Sequence, residues 1–232
     1  MGCLAGRDSQ ADVETVPASS MSPEDKKMIE NEKKLPFSSM SSKEIIRSLK
    51  AEVSDNTVSL PQLKRALHEL KISPECVSNP DDPFYILLKQ FKTPKKLYDL
   101  KEMSVLAILI GKGVPQEKAD WLFKQYDEDA SGMLSAAEIA GMMNDIITVA
   151  CEKLPEISIG DAPNLLSDQQ VKAYLGPIMA SKDAIIVKVQ KQLLTEAEIS
   201  QHEFTLKMCD PQQSCNQLLW SVGVRILCKS LL

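Results

Sequence analysis

Asp127-Glu-Asp-Ala-Ser-Gly-Met-Leu-Ser-Ala-Ala-Glu138 decides how this chain is read. Oxygen donors fall at positions 1, 3, 5, 7, 9 and 12 of the twelve: Asp127, Asp129, Ser131, the Met133 backbone carbonyl, Ser135 (through a water) and Glu138. A hard divalent cation takes about six to eight oxygens, and a loop wound around the ion brings these alternate positions together. Gly132, at position 6, permits a turn that a side chain would obstruct. Glu138 would close the shell with both carboxylate oxygens. Ser135 and Glu138 also form the S-x-x-E pattern that opens a helix. Outward from the loop, Trp121, Leu122, Phe123 and Tyr126 precede it, and Ile139, Met142, Met143 and Ile146 follow, each set at helical spacing. The pattern predicts helix–loop–helix around one divalent site.

Length and composition bound the rest. The 232 residues suit one large domain or two small lobes. Lys plus Arg number 27 against 32 Asp plus Glu, with no basic bias, so nucleic acid is not an expected partner. Long amphipathic segments and only nine glycines point to an all-α fold, with Val105 to Ile110 as a core helix. The six cysteines, Cys3, Cys76, Cys151, Cys209, Cys215 and Cys228, include no C-x-x-C pair. With no signal peptide, this predicts a reducing, cytoplasmic location. No apolar stretch reaches the ~18 residues of a membrane span. Met1-Gly2-Cys3 nevertheless offers Gly2 for myristoylation and Cys3 for palmitoylation. Two chains are needed for a stable anchor, so the expectation is a peripheral protein held to a membrane's cytoplasmic face through its N-terminal acyl chains. Gly6 stands where the acylation pattern prefers Ser or Thr.

Residues 1–41 read as a disordered tail with one short helix, capped by Ser22, opened by Pro23 and stopped by Pro36. Beyond them the chain repeats. An apolar position 8, a Glu or Gln at position 12 and a following amphipathic helix recur for loops beginning at Ala51, Phe91 and Gln192. Gln62, Glu102 and Glu203 then occupy position 12. These three loops lack ligands. Position 3 is Val53, Thr93 or Leu194, and the second puts Lys95 and Lys96 inside the would-be cage. The expected use of such loops is pairing, with Val58 opposite Tyr98 and Leu134 opposite Ile199. Residues 42–112 form the predicted N-terminal pair. Residues 113–232 form the C-terminal pair, with an enlarged connector at 151–181 and an apolar closing helix. The Ser167 and Gln170 pattern predicts a helix start inside that connector. The closing segment Leu218–Leu232 is either a last core helix or a movable plug.

These features resemble the EF-hand proteins, and within them the recoverin-like neuronal calcium sensors and calcineurin B-like proteins. The resemblance covers roughly residues 42–220. It rests on Tyr98-Asp-Leu-Lys-Glu-Met103, on Phe123-Lys-Gln-Tyr126-Asp127 entering the intact loop, and on Cys209-Asp210-Pro211 before the last helix. It implies four helix–loop–helix units in two paired lobes, three of them degenerate, joined by short β contacts. The implied function is a lipid-anchored calcium sensor or regulatory subunit that binds a target protein helix. The alternative is a constitutive structural subunit whose one site is permanently filled by Ca²⁺ or Mg²⁺. Family members usually bind two or more ions, and the connector and tail are longer than usual. Catalysis is not expected, nor a small-molecule substrate. His68 and His202 are the only histidines, and Gly111-Lys-Gly113 lacks the spacing of a phosphate-binding loop.

Overall fold

The structure, a computed structural model, describes residues 21–53, 56–194 and 196–232. Gly2 and Cys3 lie outside the described residues, as do Ser54, Asp55 and Thr195. The architecture is helical with two small antiparallel ribbons. In chain order it runs α1 (Pro23–Glu32), α2 (Ser42–Ala51), β1 (Thr57–Val58), α3 (Leu60–Glu69), α4 (Pro83–Lys89), β2 (Tyr98–Asp99), α5 (Leu100–Ile110) and α6 (Pro115–Tyr126). Then follow β3 (Met133–Ser135), α7 (Ala136–Thr148), α8 (Asp168–Ala180), α9 (Lys182–Leu193), β4 (Glu198–Ser200), α10 (Gln201–Cys209) and α11 (Ser221–Ser230).

Each strand sits in a helix–loop–helix and pairs with one other. In the first ribbon Val58 faces Tyr98, and in the second Leu134 faces Ile199, the two pairings expected from the sequence. All four side chains are buried, so a one-residue slip in register would turn these apolar residues out to water. The ribbons bring their flanking helices together. Phe123 of α6 meets Phe204 of α10 edge to face, ring centroids 5.7 Å apart, and α7 packs on α9. In the first half α2 packs on α3 and α5. The junction between α5 and α6 is tight. A side chain at Gly111 would meet the Ala107 carbonyl at 2.4 Å and the Ser42 hydroxyl at 2.7 Å. Ser42 Oγ donates to Ala107 O at 2.8 Å, which sets the start of α2 against the end of α5.

The buried apolar side chains form one cluster that runs from Met28 to Cys228. Its first member corrects the reading of residues 1–41 as a tail. The short helix begins at Ser22 and Pro23 as expected, but the segment from Ser22 onward is built into the body. Met28 and Phe37 are fully buried, and Phe37 packs edge to face on Phe84 at 5.0 Å. The connector supplies the seat for α1. Lys27 Nζ donates to the carbonyls of Pro163 (3.2 Å) and Leu165 (2.9 Å), and Asn31 Nδ2 donates to Ser158 Oγ and Asn164 O. Within the connector α8 begins at the expected Ser167, in a capping box with Gln170. The closing helix α11 is packed into the core, with Val224, Leu227 and Cys228 essentially unexposed.

Candidate metal centre

Helix α6 ends on Asp127 and α7 begins after Ser135, so the intervening loop is held at both ends by packed helices. Leu134, fully buried between them, pins the loop to the core. Gly132 has φ +77°, the left-handed region that favours glycine, and Ala130 shares that region at φ +55°. The turn aims backbone N–H groups inward. Asp127 Oδ1 accepts from Ser131 N (2.9 Å) and Oδ2 from Gly132 N (3.1 Å), while Asp129 Oδ1 accepts from Ser131 N (3.0 Å). Carboxylate oxygens of Asp127, Asp129 and Glu138 all lie within 4.8 Å of one another. Ser131 Oγ lies 3.1 Å from the Met133 carbonyl. Ser135 holds Glu138 in place, its N and Oγ each donating to Oε2 at 2.8 Å, while Oε1 reaches across the loop to Glu128 N at 3.3 Å.

Three carboxylates this close repel one another unless something positive lies among them. Ser131, through its side chain and then its backbone, holds Asp129 below the usual carboxylate range. The Ser135 backbone N–H does the same for Glu138 against the desolvation that opposes it. Both groups therefore stay ionised at neutral pH. Among the described residues no lysine or arginine pairs with any of the three carboxylates. Lys101 pairs instead with the exposed loop residue Glu128, at 2.5 Å. The donor set of three carboxylates, a hydroxyl and a carbonyl, all oxygen, fits Ca²⁺ or Mg²⁺.

The other three loops are closed by the chain itself. In the first, Gln62 Oε1 accepts from Ser59 N at 2.9 Å, and its Nε2 donates to the Glu52 carbonyl at 2.7 Å across the loop. In the second, Lys96 takes φ +62° at the position equivalent to Gly132, so the backbone makes a similar left-handed turn without glycine. Thr93 N donates to the Leu97 carbonyl at 2.7 Å, and the Lys153 ammonium pairs with Glu102. In the fourth, Lys207 Nζ pairs with Glu203 at 3.0 Å and donates to the Leu193 carbonyl at 2.7 Å. Position 12 is thus an amide in the first loop and a lysine-paired glutamate in the second and fourth. Glu138 alone has no cationic partner among the described residues. Lys153 and Lys207 were not picked out by sequence reasoning, because each lies outside the loop it closes.

The predicted site residues are therefore brought together: Asp127, Asp129, Ser131, Met133, Ser135 and Glu138 lie on one loop, with Asp129 and Ser131 exposed and the rest half-buried. His68 and His202 are both exposed. No helix among the described residues is long and apolar enough to cross a membrane. Sequence reasoning also missed a buried polar cluster away from the loop. Arg225 of α11, with no exposure, donates from Nη1 to Glu32 Oε1 (2.9 Å) and the Ala150 carbonyl (3.1 Å), and its Nε lies 3.4 Å from Asp25 Oδ1. Tyr174 donates to Asp25 and Ser221 to Glu32, each at 2.5 Å. Burial works against the charged guanidinium, and Glu32 and Asp25 more than offset it, pushing its pKa up. The available signals were one arginine within an apolar helix and two acids seven residues apart on α1. No protein-family model matches this chain, and no curated protein matches it.

Proposed function

We propose that the chain is an EF-hand protein with one working site, at 127–138, and that it acts as a calcium sensor or regulatory subunit engaging a target protein helix. The observation that carries this reading is the contrast at position 12. Gln62 carries no charge and Glu102 and Glu203 are each paired with a lysine, while Glu138, beside two further carboxylates, accepts only from backbone N–H groups and the Ser135 hydroxyl and has no cationic partner among the described residues. Asp127, Asp129, Ser131, the Met133 carbonyl and Glu138 would hold the ion, with Ser135 through a water. The ion supplies the positive charge that lets the three carboxylates stay together. Glu138 is the third residue of α7 and forms a capping box with Ser135, so a change in its position is passed to that helix. Met142 and Met143 on α7 are fully buried, and a swing of α7 would expose a pliable apolar surface.

A second reading, a constitutive scaffold with a permanently filled site, is favoured by the internal closure of the other three loops. The experiment that separates the two follows an apolar-surface dye during calcium addition at physiological Mg²⁺. A saturable rise in dye signal is expected. A flat signal with calcium bound would make the protein a scaffold. Membrane attachment through Gly2 and Cys3 rests on the sequence alone; Gly2→Ala is expected to move the protein from membrane to soluble fractions, and an unchanged distribution would remove the anchor.

A further inference from the structure

The buried cations of this protein are treated unequally. Arg225 sits between two carboxylates, whereas Lys118, 2 % exposed on α6, has no carboxylate partner among the described residues. Its ammonium donates to the Leu219 carbonyl at 3.2 Å and lies 5.3 Å from the centroid of the Trp220 ring. An ammonium has three protons to donate, and leaving a buried charge without a counter-ion is costly. Lys118 and Trp220 both line a cavity of about 80 Å³, set where α1, the α5–α6 link and the start of α11 meet. The cavity is mostly apolar, with Ile29, Leu109 and Val222 on its walls. Two exposed lysines, Lys33 and Lys112, also line it. Glu32 is the carboxylate on its wall, and both its oxygens are already engaged, one by Arg225 and one by Ser221. No side chain caps the N-terminus of α11, whose residues Ser221 and Val222 line the same space, so the positive end of that helix adds to the local potential.

We propose that this cavity binds a small monocarboxylate, with its carboxylate on the Lys118 amine and its alkyl end against Ile29, Leu109 and Val222. The volume sets the size. The space is several times the roughly 10–15 Å³ that one buried water needs, which leaves room for a short-chain acid such as propionate. The charge sets the class. The apolar walls and the neighbouring Glu32 disfavour a dianion, and three lysines favour a monoanion. Burial brings the Lys118 pKa down to about 7, so an arriving carboxylate would draw a proton onto the amine and complete the pair that Arg225 already has. A ligand here would touch α1, α5, the α5–α6 link and α11 at once, and by mass action would hold those elements together.

The test is a calorimetric titration of the full chain with sodium propionate against a sodium chloride reference at equal ionic strength, repeated with inorganic phosphate. Saturable one-to-one propionate binding is expected, weakened about tenfold or more in Lys118→Met, since a charge-assisted hydrogen bond is removed. Absence of saturation by the low tens of millimolar, or unchanged affinity in Lys118→Met, overturns the proposal. Phosphate binding tighter than propionate overturns the carboxylate assignment in favour of a general oxyanion site. If Lys118→Met does not fold, thermal unfolding of the unaltered chain decides: a Tm raised by propionate beyond equal chloride supports the site, and equal shifts overturn it.

Discussion

Lys118 shows how one residue can set a pH response. Burial brings its folded pKa down to about 7 from the 10.5 usual for a lysine. Between those two values the unfolded chain holds a proton that the folded chain has released. Stability therefore rises with pH across that window, by at most about 1.4 kcal/mol per unit from this group, and its contribution is lowest and flat below pH 7. Lys118→Met should remove this slope and be more stable than the unaltered chain at pH 6, as read from urea midpoints. A variant that keeps the slope, or is less stable at pH 6, would mean the lysine is already satisfied as an ammonium. The sequence places Lys118 in a Gly113-x-x-x-x-Lys118 link that resembles the EF-hand family's, but nothing in that spacing says that the lysine is buried. Its burial comes from distant chain: its ammonium meets the Leu219 carbonyl and the Trp220 ring just before α11. The residues of the 127–138 loop were legible because their chemistry is local: six positions of one loop, bound by the chain to lie within a few ångströms.

At the scale of elements, the two features that fitted worst in the sequence account for each other. The long connector at 151–181 and the N-terminal helix are partners: Tyr174 of α8 donates to Asp25, and Asn31 of α1 bonds the Ser158–Asn164 stretch. Arg225 ties α11 into the same cluster. Both ribbon registers were readable, because position 8 of each loop is apolar and two apolar β residues must face each other to be buried. The docking of α1 was not, since its contacts are polar and its only fully buried apolar side chain is Met28. A hydrophilic helix gives no sequence sign of what it will pair with. The cluster makes a directional prediction. Arg225→Met alone leaves two buried carboxylates unpaired and should cost about 3–5 kcal/mol in urea unfolding. Combining it with Asp25→Leu and Glu32→Leu should recover most of that loss, because replacing a whole buried ion cluster by apolar groups is close to neutral. No recovery in the triple variant would mean that the cluster fixes the position of α1 in a way apolar packing cannot replace.

At the scale of the whole molecule, one core carries four similar loops; three are closed by the protein's own side chains, and the fourth is the one we propose takes an ion. Gln62 in the first loop, Lys153 with Glu102 in the second and Lys207 with Glu203 in the fourth do from within what a bound cation does from outside. The third loop keeps three carboxylates within 4.8 Å and no internal cation among the described residues. Any conformational response would then start from α7 alone and pass through β3 to β4 and through α7 to α9, rather than from several loops in concert. The most direct test of this account is the calorimetric stoichiometry of Ca²⁺ on the full chain and on Glu138→Gln. One ion per chain is predicted, with affinity weakened at least ~100-fold in the variant. Two or more ions per chain, or one ion bound equally well without the Glu138 carboxylate, would contradict it.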